Sequence, residues 1–156
     1  MPDEINPVLD LVFERVVPVR RELLWKAWTT PDLLMQWFCP LPWKVTECQL
    51  DLRPGGRFRT VMRGPAGEVH DNVGVYLEVV APERLVWTDA LVPGWRPAEK
   101  PFFTGIITFT PEGAGTRYHA LGRHASEAVR RQHEEMGFHQ GWGKALDQLV
   151  ALAKTL

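Results

Sequence analysis

The chain's capacity for chemistry rests on five histidines, His70, His119, His124, His133 and His139, and on the acidic residues near them. Glu135 and His139 are four apart, a spacing that places both on one face of a helix, where the carboxylate could orient the imidazole as a base. The same spacing describes a solvated ion pair on a helix flank, and that is the expected reading. His119, in an alternating segment, is the third candidate for acid–base work. His133 and His139, six apart, diverge by about 120° around a helix, which argues against a shared metal. His133-Glu134-Glu135 opens like a zinc-protease helix, but Gly137 stands where the second histidine is needed. The single serine, Ser126, precedes a helical run and reads as its N-cap. Cys48 alternates with Leu50 and reads as an inert core thiol. Cys39, in the loop between Phe38 and Pro40, is expected to be exposed and the more reactive of the two. Gly55-Gly56 is turn chemistry after Pro54, since no Lys-Ser/Thr pair and no helix follow it. Neither a metal nor a cofactor is expected.

These side chains need elements to hold them. At 156 residues, with 45% hydrophobic and 24% charged residues, the chain suits one domain with a sizeable core. A net charge of −1 with both signs interspersed supplies no basic face for nucleic acid. No apolar run approaches the ~20 residues of a membrane span. The opening Met-Pro-Asp-Glu lacks the basic and apolar regions of a signal peptide, and two cysteines suit a reducing compartment. The cytoplasm is the expected location.

Alternating apolar residues predict a first strand over 8–17, then short helices over 21–28 and 32–38. Strands follow over 45–52, 57–63, 68–80, 84–90, 102–110 and 116–124, separated by Gly- and Pro-rich turns. In the strand over 68–80, Val73, Val75, Leu77 and Val79 form the alternating set. Short turns between strands require antiparallel neighbours. Phe138, Trp142, Ala145, Leu149 and Leu152 then share one face of a long helix over 126–154. Gly137, Gly141 and Ala145 recur every four residues on it, a strip of almost no side-chain volume. Such a strip admits a close sheet, or leaves space for something that is not protein. The expected fold is α+β: a seven-stranded antiparallel sheet wrapped around the C-terminal helix, with two short helices after the first strand.

The seven tryptophans suit a core or a ligand wall. Trp28 and Trp37 are expected to line a cavity between sheet and helix, together with Phe58, Met62, Phe103, Phe138 and Trp142. Trp95, in the proline-rich stretch from Val92 to Pro101, is expected to fold over the cavity as a lid. Arg57, Arg59 and Arg63 alternate opposite Asp51 and Glu47, a mixed-charge face that could match its own copy in a homodimer.

Four ordered motifs add a resemblance. Ala27-Trp28-Thr29-Thr30-Pro31-Asp32-Leu33-Leu34 with Trp37 resembles the "A-W-T-x-P-x-x-L…W" signature of the homology domain named after the activator of the heat-shock-protein ATPase. Asp51 to Phe58 is similar to that family's hairpin, and Gly74 to Leu85 to its following strand pair. Gly141-Trp142 with Leu146 and Leu149 matches its closing "G-W…L..L" helix. The resemblance implies membership of the wider START-related, pollen-allergen-like helix-grip class, with a hollow that accepts a small apolar ligand. It carries over no catalytic residues. It implies no single activity; the small-residue strip and the tryptophans favour a carrier or sensor for a hydrophobic or aromatic molecule. A cyclase or dehydratase acting on a polyketide-like substrate and a stress-related co-chaperone-like interaction module are the alternatives.

Overall fold

Strands and helices follow the patterning closely in a computed structural model that describes residues 4–156. β1 (Asp10–Val17) leads to α1 (Arg21–Thr29) and the single turn α2 (Pro31–Leu34). A meander follows: β2 (Lys44–Leu50), β3 (Arg57–Arg63), β4 (Val69–Val80) and β5 (Arg84–Thr88). A two-stranded ribbon, β6 (Leu91–Val92) and β7 (Arg96–Pro97), interrupts it before β8 (Thr104–Glu112) and β9 (Gly115–Arg123) complete it. The main sheet has seven strands in the order β1-β9-β8-β5-β4-β3-β2, antiparallel throughout. β1 joins at the far side by pairing with β9, from Asp10 opposite Arg123 to Val17 opposite Thr116. The α+β class, the seven strands and the two helices after β1 are therefore as expected.

Three local expectations are corrected. The C-terminal helix comes in two pieces, α3 (Glu127–Glu135) and α4 (Phe138–Ala153). Ser126 caps α3 as expected, accepting from the Val129 amide at 3.2 Å. Gly137 then adopts φ 93°, which favours glycine, and its amide bonds back to the Glu134 carbonyl at 3.0 Å, ending α3. Its own carbonyl accepts from the Gly141 amide at 2.7 Å and starts α4. Second, a register shift between Tyr76 and Glu78 splits the valine set of β4. Before it, Gly74 and Tyr76 lie on the helix-covered face; after it, Val79 packs there opposite Leu85. Alternation counted straight through the bulge assigns the wrong face. Third, the proline-rich stretch holds the β6–β7 ribbon.

The core lies between the inner face of the sheet and α1, α2 and α4. Leu24, Leu146, Leu149 and Ala153 are fully buried there against Leu85, Ile107 and Phe109 of the sheet. Trp28 is the hub. It is 1% exposed, its ring centroid lies 5.0–6.2 Å from those of Trp37, Phe38, Trp87 and Trp142, and its indole N–H donates to the Tyr118 hydroxyl at 3.2 Å. The Trp37 indole donates to the Ala27 carbonyl at 3.1 Å, so neither buried N–H is left unmade. On the other face, Arg59 forms a two-pronged bond to Asp71 at 3.0 Å and lies 3.7 Å from Glu47.

Trp142 is only half-buried, unlike Trp28. Trp28→Ala should therefore cost about 3–5 kcal/mol in urea unfolding, the range for emptying a large aromatic site. Trp142→Ala should cost about 1–2 kcal/mol, because its truncation opens onto existing space. Equal losses for the two variants would contradict the placement of Trp142.

Candidate functional site

The sheet and the C-terminal helices do not close completely on one another. Between β3, β4 and β5 on one side and α3 and α4 on the other lies a cavity of about 770 Å³. That volume is within the range of small-molecule sites. The register builds its floor: Phe58 pairs with Gly74, Thr60 with Asn72 and Met62 with His70, so alternate residues of both strands face the space. Gly137, Gly141 and Ala145 form the roof. A Cβ on Gly141 would meet nothing nearer than the Pro40 Cγ at 4.0 Å, so the strip borders open space. Gly143, one face round, has the opposite role: a Cβ there would lie 3.2 Å from the Arg15 guanidinium and 3.6 Å from the Phe13 ring.

Two further devices set the walls. Trp87 lies across Gly105, its partner on β8, so tightly that a Cβ would come within 2.4 Å of the indole. The absent side chain lets the ring lie flat along the sheet and turn one edge to the cavity. On the other side, Gln148 of α4 donates to the carbonyls of Trp37 (3.1 Å) and Cys39 (2.9 Å) and accepts from the Leu41 amide (3.0 Å). That clamp holds Trp37, Phe38, Cys39 and Pro40 as a wall.

Besides Thr60, His70 and Asn72 of the floor, two titratable groups of the lining lie close to the Phe102 and Phe103 rings. Asp89 follows β5 and accepts from the amides of Phe102 (2.8 Å) and Phe103 (3.2 Å), fixing both rings at the cavity edge. Burial raises its pKa, and those amide bonds oppose the rise. His133 of α3 is packed among Phe102, Phe103 and Phe138, with ring centroids 4.7–5.1 Å away. Its Nδ1 lies 2.8 Å from Nε2 of the buried His124, whose Nδ1 lies 2.8 Å from the Leu9 carbonyl oxygen. Burial, reinforced by His124, pulls the His133 pKa down to about 4.

Of the expected wall residues, Trp37, Phe58, Met62, Phe103, Phe138 and Trp142 line the cavity. Trp28 does not: it supports the wall from behind, fully buried. Trp95 is no lid. Positive φ (58°) and 57% exposure place it at the ribbon's turn, its indole lying over Gly55 of the β2–β3 turn. His119 lies 3.9 Å from Glu14 on the far face of the sheet, because alternation along β9 turns its neighbours Tyr118 and Ala120 into the core. Glu135 and His139 both face water, but on separate helices, since Gly137 removes the continuous turn that their spacing assumes. His139 instead sits 3.1 Å from the Val12 carbonyl. Cys39 is 7% exposed rather than open, and burial pushes its thiol up to about 11, away from reactivity. Cys48 is half-buried with a thiol likewise near 11, raised by burial and then by Asp32.

Sequence reasoning missed Phe38, Thr60, Trp87, Asp89, Phe102 and His133 as lining residues. Trp87 opposite a strand glycine is a readable signal once strand pairing is known. The His124–His133 contact had none, because it depends on α3 folding back beside the end of β9.

A twisted antiparallel sheet gripping a C-terminal helix around an aromatic-walled hollow defines the helix-grip class. Residues 18–154 match the family described as activator of Hsp90 ATPase homolog 1-like protein, and the chain belongs to that family. The crystal structure of a protein from Nitrosomonas europaea is similar at 46% identity, TM-score 0.94, covering 97% of each chain. One from Mycobacterium smegmatis shares 28% identity at TM-score 0.79, covering 93% of this chain and 90% of that one. One from Rhodobacter sphaeroides, at 23% identity and TM-score 0.84 over 98% and 97% of the two chains, shares the fold. Among curated proteins none matches. No helix among the described residues is long and apolar enough to cross a membrane.

The low pKa of His133 has a consequence for stability. As pH falls below the ordinary 6.5, the unfolded chain takes up this proton while the folded protein refuses it until about 4. The stability linked to neutral His133 is therefore complete above 6.5 and lost progressively down to about 4. Urea unfolding between pH 4 and 7 should show a slope of that sign, and His133→Phe should flatten it. In the native protein the His133 ring signals should titrate with a midpoint near 4.

Proposed function

We propose that this protein binds a small, largely aromatic molecule in the cavity between the sheet and α3–α4, as a carrier or sensor. The observation that carries the reading is the pairing of a glycine–alanine roof with an aromatic lining around about 770 Å³ of space. An ordinary core fills such a volume with side chains, because lost contacts are costly. Here the helix presents almost no side-chain volume at the position nearest the space. A binding role also fits the general ligand-binding character of the family. The enzymatic reading loses its original candidates, since Glu135, His139 and His119 do not border the cavity. Nothing in the geometry favours the co-chaperone reading.

Gly141→Leu tests the proposal. The new side chain enters the cavity without meeting neighbouring atoms at its Cβ. It also removes a helical glycine, worth about 1 kcal/mol. The variant should be as stable as the native protein or more so. The uncharged dye N-phenyl-1-naphthylamine should bind the native protein saturably and quench tryptophan emission. Gly141→Leu should weaken that binding by about tenfold or more, equivalent to about 1.4 kcal/mol. Undiminished binding to a well-folded variant would place the dye elsewhere and defeat the reading.

A further inference from the structure

The hydrogen-bond chain at the α3 end of the cavity has only one consistent direction when both imidazoles are neutral. A carbonyl oxygen can only accept, so His124 Nδ1, 2.8 Å from the Leu9 oxygen, carries a hydrogen. His124 Nε2 is then a lone pair, and His133 Nδ1, 2.8 Å from it, must be the donor. That leaves His133 Nε2 as a second lone pair, with no hydrogen-bond partner among the described residues. The two nitrogens of an imidazole point in nearly opposite directions. His133 lines the cavity and His124 does not, so Nε2 is on the side away from His124. The rings packed against His133 are those of Phe102, Phe103 and Phe138, which carry no hydrogen-bonding side-chain group.

We infer that His133 Nε2 is a fixed hydrogen-bond acceptor of the cavity, and that the ligand it selects is an aromatic molecule bearing a neutral hydroxyl group. The inference rests on the binding role proposed above and sharpens it. His124 is a positioning residue: it does not border the cavity, but by accepting from Nδ1 it denies His133 the other tautomer. A ligand that displaces solvent from Nε2 leaves this acceptor unmade unless it brings a donor, which a hydroxyl O–H supplies and an ether oxygen cannot. Asp89 is a second acceptor on the lining, where Thr60, Asn72, Thr88 and Gln132 are further polar side chains. Its Oδ1 is already engaged by two backbone amides. His133 therefore distinguishes ligands by the hydroxyl hydrogen, at an end of the cavity walled by aromatic rings.

The test uses the full-length protein and three probes of similar shape: 2-naphthol, 2-methoxynaphthalene and naphthalene. All three should bind, 2-naphthol about tenfold more tightly than the ether. His133→Leu should erase that preference while leaving ether binding in place. Nitrogen-15 spectra of the histidine side chains supply a readout that does not depend on the variant folding. In the free native protein at neutral pH both His124 and His133 should carry their hydrogen on Nδ1. Adding 2-naphthol should shift His133 Nε2, and 2-methoxynaphthalene should not. Equal binding of the naphthol and the ether would overturn this inference while leaving the cavity reading intact. A preference that survives in His133→Leu would transfer the role to another polar side chain of the lining, and an Nε2–H form of His133 would remove the acceptor; either overturns it. Failure of all three probes to bind would overturn the cavity reading, and this inference with it.

Discussion

Trp28 is the contact on which the other elements converge. It sits on α1, donates to Tyr118 of β9, and packs against Trp37 and Phe38 after α2, Trp87 of β5 and Trp142 of α4. Sheet, short helices and C-terminal helix thus meet on one side chain. All four of those aromatic neighbours also border the cavity. The hollow is lined by the outer layer of a cluster whose centre is fully buried. A large aromatic group suits this position because it supplies wide contact area with few rotatable bonds, and its one polar atom is satisfied inside the core.

The same geometry explains how space survives beside so dense a cluster. α4 is pinned at several points, by Gln148 to the chain after α2, by Lys144 to the Leu41 carbonyl at 3.0 Å, and by Arg15 of β1 to Asp147 at 2.6 Å. The helix cannot sink further onto the sheet without breaking these bonds. Its residues over the gap, Gly141 and Ala145, are too small to fill it. Gly137 adds the second condition. By ending one helix and beginning another, it lets α3 carry His133 to the cavity end instead of continuing the line of α4.

Apolar enclosure also decides protonation. His133 among three phenylalanine rings is held neutral, with a pKa near 4, because a charge there would lose its hydration. Asp89 is pushed the other way by the same desolvation, against the pull of two amides. The aromatic wall therefore shapes the cavity and fixes the hydrogen-bonding character of the polar groups at its end.

Much of the fold was legible in local pattern. Period-two alternation and turn residues marked all seven strands of the main sheet, and β3 has the predicted limits, because neighbours from β2 to β5 and from β8 to β9 are joined by short turns. The glycine–alanine strip was visible as spacing alone, and it borders the cavity. What local pattern could not reach was anything set by distant contacts. Ser126 announced a helix start, but Gly137 as its end required knowing that a left-handed residue was wanted there, and glycine is compatible with either state. The bulge after Tyr76 moved the inward face of β4, which counting by twos cannot see. Trp28, Trp87 and Trp95 are one residue type with three fates, separated by what lies opposite each: a filled core, a glycine on the next strand, a turn in solvent. His124 and His133 are nine apart in the chain and 2.8 Å apart in space. Residue types and their spacing determined the elements and the small-residue strip. Only the tertiary structure decided which polar groups share the hollow, because that depends on how the ends of separate elements fold back on one another.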